Sequence, residues 1–300
     1  MMPQVGSVVQ AGEELPPVPS SGRRAIRLIR RKPAGFAALV FLVLLVFVAV
    51  AAPLVAPYAP GAMSGVSFGP PSPTHWFGTD QFGRDILTLD IYGARISLAV
   101  GALSTFFGLV VGTLLGLFAA LAGGWVEQAI MRLVDVLLAF PFILLAILLL
   151  SFFGQSLVNV TLAIAVAFVP NFARLAHGST LSLRQRTFVE AARASGASRG
   201  RIMWAHIVPN LLQTLAVYTT FSLPIAILIE SGLDYLGLGA SPSTATWGNL
   251  INQGQQSLLL APWQAIAGGG AITLTVIAFN VLGESIADLL DPKERLRVRV

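Results

Sequence analysis

Few residues in this 300-residue chain have the types and spacing for chemistry, and most of those fail on context. Gly196-Ala197-Ser198-Arg199-Gly200 has the spacing of a nucleophile elbow, in which a serine sits on a strained strand-to-helix turn with a remote acid and histidine. Here it lies in an arginine-rich stretch of helix formers, so that setting is missing. Cysteine is absent, which excludes thiolate nucleophiles, thiolate metal sites and disulfides and leaves the redox compartment open. His75, His177 and His206 are scattered with no ligand spacing, so no metal centre is expected. A phosphate loop needs Gly-Lys followed by Ser or Thr. Lys32 and Lys293 stand in Arg-Lys-Pro and Pro-Lys-Glu, so the chain cannot bind ATP in that way, and no cofactor is expected on it.

Acids are the remaining candidates. Glu127, Asp135, Glu230, Glu284 and Asp288 fall close to the ends of apolar runs, where a membrane interface can solvate them. No acid or base is expected at the middle of a run, which leaves a proton-coupled carrier little to work with. Hydroxyls and amides inside the runs, such as Thr219, Thr220, Ser222, Thr273, Thr275 and Asn280, fit a substrate path or helix-to-helix hydrogen bonds. One polar motif is local: His75 to Asp85 reads His-Trp-Phe-Gly-Thr-Asp-Gln-Phe-Gly-Arg-Asp. Gly78 and Gly83 permit turns around Thr79, while Asp80, Arg84 and Asp85 can form a knot of ion pairs and hydrogen bonds. A structural role is expected for it, because no metal-loop spacing matches.

The elements that must carry these residues are membrane helices. Hydrophobic residues make up 55% of the chain and charged residues only 11%, against about 25% charged in a soluble domain. Uncharged runs of about 18 residues or more mark spans. They fall at residues 35–56, 96–122, 136–153, 157–173, 211–229 and 263–283, the third and fourth separated at Gly154-Gln155-Ser156. Pro141 and Pro170 should kink or end helical turns. Ser104, Gly108, Gly112, Gly116 and Ala120 recur every four residues and make a smooth stripe for close helix packing, within one subunit or between two. Six crossings put every Lys and Arg except Arg84 and Arg95 on one side, and losing an early span would break that asymmetry. The net charge of +5 therefore reflects topology, and no nucleic-acid partner is expected. The expected organisation is a basic-anchored, disordered tail at 1–34, a first span and outer segment at 35–94, a five-helix core at 95–288, and a tail at 289–300. The fold class is an all-α membrane protein of six helices with both termini cytoplasmic.

The longest charge-dense interruption, residues 184–210, follows the fourth span on the basic side. Helix formers from Arg184 to Ser195, a break at Ser195-Gly196 and a restart from Arg199 predict an elbow of two short helices. Pro209 should limit the second helix near the membrane, and Phe188, Val189, Ala191 and Ala192 gather on one side of the first. This stretch resembles the EAA loop of permease subunits of bacterial ABC importers. That loop reads Glu-Ala-Ala, three residues, Gly, then nine residues into an Ile-x-Leu-Pro ending. Glu190-Ala191-Ala192, Gly196 and Pro209 match in register; His206 and Val208 stand at the usual Ile and Leu places, an ending similar to the peptide-importer branch. His75 to Asp85, Met131 to Asp135 through Phe140-Pro141, Leu236 to Gly239, Trp247-Gly248, Ala261 to Trp263 and Asp291-Pro292 resemble the same branch, the second ("C") permeases of dipeptide, oligopeptide and nickel importers.

The resemblance implies a type I importer permease, not an enzyme. It implies a homologous second permease, two cytoplasmic ATPases that bind ATP and Mg, an external substrate-binding protein, and surrounding lipid. It also implies ATPase coupling through Glu190, Ala191, Ala192, Ser195, Gly196, Ala197 and Pro209. Peptides are the expected cargo, with nickel or a metal chelate the alternative inside the family and a stand-alone secondary carrier the alternative outside it.

Overall fold

A computed structural model describes residues 32–290, and side chains are described throughout except at 199, 289 and 290. The expected basic cluster before Lys32 and both tails lie outside the described residues. Among the described residues eleven α-helices and one π turn follow in order: α1 Pro33–Val50, α2 Ala52–Val55, α3 Ile86–Ala122, α4 Gly124–Leu138, α5 Phe142–Phe153 and α6 Leu157–Arg184. Then come α7 Thr187–Ala194, α8 Arg199–Ile202, the π turn Met203–Ile207, α9 Val208–Tyr235, α10 Trp247–Gln256 and α11 Pro262–Leu290. Among the described residues five helices are long and apolar enough to cross a membrane, and α4 with α5 forms a sixth candidate bent by 92°. The expected third span is therefore two helices. Pro141 has no N–H and itself takes an extended backbone (ψ 132°), and a proline disfavours helical backbone in the residue before it, so the ladder breaks between Leu138 and Phe142.

Helices outrun the apolar windows that located them. α3 starts ten residues ahead of the expected span because Asp85 caps it, accepting from Thr88 N at 2.7 Å and from the Thr88 hydroxyl at 2.8 Å. At 37 residues it is about 55 Å long, well beyond the hydrocarbon core. α6 likewise continues to Arg184, and Pro170 sits inside it without ending it. The polar half of α6 is matched by α4: Arg174 pairs with Asp135, and His177 Nε2 lies 2.6 Å from Glu127 Oε1.

The small-residue stripe is buried inside this chain. A β-carbon on Gly108 would lie 2.6 Å from Phe168 Cβ, on Gly112 2.5 Å from Val169 O, and on Gly116 2.2 Å from Ala173 O. Ser104 Oγ donates to Thr161 O at 3.0 Å and Arg184 to Ala120 O at 2.6 Å. Rising numbers on α3 meet rising numbers on α6, so the two helices pack parallel. The segment between them, α4 and α5, must return the chain to the end where α3 began. α9 runs the other way: Ser97 meets Glu230, and Gly101 meets Ile227. Lys32 pairs with Asp288, which places the start of α1 beside the end of α11.

Candidate functional site

The elbow forms one end of this bundle. Val189 is fully buried against Ile202, Met203 and Ile207, with Leu117, Leu183, Ala192, Ala197 and Val208 around them. Glu190, Ala191, Arg193, Ala194 and Ser195 face outward. The small surface expected from Ala191 and Ala192 together thus divides: Ala191 is exposed, and Ala192 packs inward. α7 ends in a Schellman turn, with Ala197 N donating to Ala192 O at 3.1 Å and Gly196 N to Arg193 O at 3.0 Å. That turn requires the left-handed backbone of Gly196, whose φ is +79°. Ser195 Oγ donates back to Ala191 O at 2.9 Å. Ser198, the serine of the hydrolase-like spacing, accepts from Arg201 N at 3.3 Å and caps α8. Gly196 and Ser198 are thus stop and start signals of two helices.

Pro209 does not limit the second helix, contrary to expectation. An α-helix would drive its ring into the carbonyl four residues back. Here the turn before it opens to π geometry, with Val208 N donating to Met203 O, and the helix continues from Gly200 to Tyr235. The elbow is therefore continuous with a membrane helix on one side. On the other, Arg184 ties its base to the last turn of α3.

At the opposite end the His75–Asp85 motif closes on itself. Asp80 accepts from Phe82 N at 2.8 Å, from Arg84 N at 2.9 Å and from Arg84 Nε at 2.6 Å. Asp85 holds His75 Nδ1 at 3.0 Å, and Thr79 Oγ1 accepts from Gly69 N at 2.7 Å. Gly78 and Gly83 have positive φ, and a β-carbon on Gly83 would lie 2.2 Å from Gly65 O.

One site was missed from the sequence. Glu230, expected at a solvated helix end, is 0% exposed, and Asp234 one turn on is 1% exposed. Glu230 accepts from Ser97 Oγ at 3.2 Å and Ser231 Oγ at 3.1 Å; Asp234 accepts from Ala240 N at 2.6 Å and from the Thr246 hydroxyl. Together they fasten α10 and its buried Trp247 to α9 and α3. The only signal was the four-residue spacing of two acids before a Gly-rich turn. Among the described residues no three His, Cys, Asp or Glu converge as a metal site.

A bundle of long apolar helices with a polar elbow at one end and a folded cap at the other defines a multi-pass membrane subunit. The comparisons specify its class. Residues 112–296 match the family described as binding-protein-dependent transport system inner membrane component. Residues 20–71 match the N-terminal TM domain of oligopeptide transport permease C. The chain is 41% identical over 276 residues to the dipeptide transport system permease protein DppC of Alkalihalophilus pseudofirmus, covering 91% of this chain and 90% of that protein. It is 43% identical over 270 residues to the glutathione transport system permease protein GsiD of Escherichia coli, 89% of each. The inward-facing MetNI methionine ABC transporter shares the fold at a TM-score of 0.57 and 20% identity, over 69% of this chain and 98% of that one. The chain belongs to the inner-membrane permeases of binding-protein-dependent ABC importers, in their C-type dipeptide, oligopeptide and nickel branch. It is a transport subunit and not an enzyme.

Proposed function

We propose that this chain forms half of the translocation path of an ATP-driven importer that carries short peptides inward by alternating access. Its relatives named for dipeptide and glutathione transport support the cargo class, since both substrates are short peptides. The proposed complex contains a homologous second permease, two cytoplasmic ATPases holding ATP and Mg, and an external binding protein. Six crossings with both termini cytoplasmic are the proposed arrangement, and the parallel packing of α3 and α6 and the Lys32–Asp288 pair support it.

The observation that carries the mechanism is the elbow. An exposed Glu190-Ala191 ridge on α7 stands on buried Val189, which packs against Ile202, Met203 and Ile207 of the helix that runs on from Gly200 through α9. A rigid attachment transmits displacement; a loose loop would absorb it. Glu190 is assigned a polar contact with an ATPase, Ala191 close approach, and Ser195, Gly196 and Ala197 the bend. Ala192 and Pro209 act from within, the first by seating α7 and the second by fixing the π turn.

The reconstituted complex tests this with uptake and ATP hydrolysis measured together. A β-carbon on Gly196 meets nothing within 4 Å, so substitution there perturbs the bend without crowding this chain. Gly196→Val should abolish uptake and uncouple hydrolysis while membrane insertion persists, and normal coupled transport would sink the assignment. Comparing a dipeptide, glutathione and nickel ion as cargo tests the substrate; nickel uptake without peptide uptake would overturn the peptide reading.

A further inference from the structure

The arginines of the elbow are not all alike, and two of them line a cavity. About 390 Å³ lies between the end of α3, one side of α7 and the π turn, lined by Leu121, Arg184, Val189, Arg193, Met203 and Ile207 among others. Arg184 and Arg193 are the only residues of that lining with polar side chains, and it contains no acid. Arg184 ends α6, and its Nη1 donates to Ala120 O at 2.6 Å, which fixes the guanidinium at the last turn of α3. Arg193 is exposed, one turn after Val189 on the same side of α7. No ion pair among the described residues includes either arginine. Arg186, also exposed on the elbow, lies outside the lining.

A guanidinium presents five N–H donors in a planar fork that matches a phosphate, and one bond to a carbonyl leaves most of those of Arg184 unused. Two cations on one cavity without an acid call for an anion. The rest of the wall is apolar, so a bare inorganic ion would leave it uncovered, whereas an anion on an apolar body covers both. We propose that this cavity binds a phosphate ester on an apolar body, with Arg184 and Arg193 holding the phosphate. Two sources share that chemistry: the headgroup of an anionic phospholipid, and a soluble phosphate ester. The place of the cavity in the fold favours the lipid. α3 at about 55 Å and α6 at about 42 Å are longer than the ~30 Å hydrocarbon core, so their ends reach the headgroups. Trp125, at the start of α4, and Trp204, next to Met203 in the π turn, are exposed at this end, and exposed tryptophans gather at headgroup level.

The assembled complex in detergent is titrated with dioleoyl-phosphatidylglycerol, with dioleoyl-phosphatidylcholine and with phenyl phosphate, and bound molecules are counted by native mass spectrometry. Saturable binding of phosphatidylglycerol is expected, about tenfold weaker in Arg193→Gln, which loses a charge-assisted contact. Arg186→Gln removes the same charge outside the cavity and should bind within about twofold of the wild type, because a merely electrostatic attraction of the basic elbow would treat the two arginines alike. Leu121 is half exposed at the end of α3, so Leu121→Trp narrows the cavity while keeping both arginines, and it should weaken binding by a similar factor. Arg193-dependent binding of phosphatidylglycerol that phenyl phosphate does not displace assigns the lipid as occupant. Arg193-dependent binding of phenyl phosphate, with or without displacement of lipid, assigns a soluble ester. Equal losses in Arg186→Gln and Arg193→Gln, equal binding of the two lipids, wild-type binding in Leu121→Trp, or no Arg193-dependent binding of either phosphate overturns the site. Binding is read without ATP or cargo, so its failure leaves the coupling and import readings standing.

Discussion

Glu230 and Val189 show how single side chains fix this molecule, one by polar satisfaction and one by packing. Glu230 is fully buried and holds two serine hydroxyls on different helices. Glu230→Ala removes the acceptor and leaves a void, which should destabilise the protein by about 2–4 kcal/mol. Glu230→Gln keeps shape and one acceptor, so thermal unfolding in detergent should show less than half that loss. Equal losses would mean that the charge matters more than the contacts. Val189 has 0% exposure beneath the elbow. Val189→Ala should lower stability by roughly 1–2 kcal/mol, the value of its lost apolar burial, and reduce the uptake obtained per ATP hydrolysed. An unchanged ratio would show that the elbow couples without being seated.

At the scale of elements, the α3–α6 pair is held by the absence of side chains. β-Carbons on Gly112 and Gly116 would meet backbone carbonyls, which cannot rotate away as a side chain can. Gly116→Ala must therefore separate the helices, at a cost of about 1–3 kcal/mol typical of overpacking. Gly178, on α6, has no atom within 4 Å of the corresponding position. Gly178→Ala should be neutral or stabilise by up to about 1 kcal/mol, since alanine is the better helix former. Comparison of the two unfolding midpoints checks this, and similar shifts would contradict the packing account. The stripe was legible in the sequence as a spacing. Its partner was not, because a four-residue repeat defines a face and says nothing of which helix comes to it.

For the whole molecule, topology is the quantity to measure. The chain has no cysteine, so each introduced cysteine is the only one, and membrane-impermeant labelling reads its side directly. Six crossings place exposed Ser67, in the outer segment, and exposed Ala191, on the elbow, on opposite faces. If α4 and α5 did not cross, both would lie on one face. Ser67→Cys should therefore label from outside in intact cells and Ala191→Cys only after permeabilisation; labelling of both from outside would refute the six-pass arrangement.

The sequence by itself determined that the chain is an all-α membrane protein, where its apolar runs lie, and the elbow's two helices with their break at Gly196. Each of these depends on local composition or on short spacing, and both survive folding. It also determined the family, through the register of Glu190-Ala191-Ala192 with Gly196. Tertiary structure decided what depends on partners distant along the chain. It extended α3 to Ile86 and α6 to Arg184, where capping and pairing with α4 replace the apolar signal. It split the third span at Pro141, carried the helix through Pro209 by a π turn, and turned Ala192 inward. It buried Glu230 against Ser97, 133 residues away in sequence, and left Asp90 Oδ1 shielded without a hydrogen-bond partner among the described residues. Whether an acid is solvated or buried and satisfied depends on what packs around it, and hydropathy along the chain does not record that.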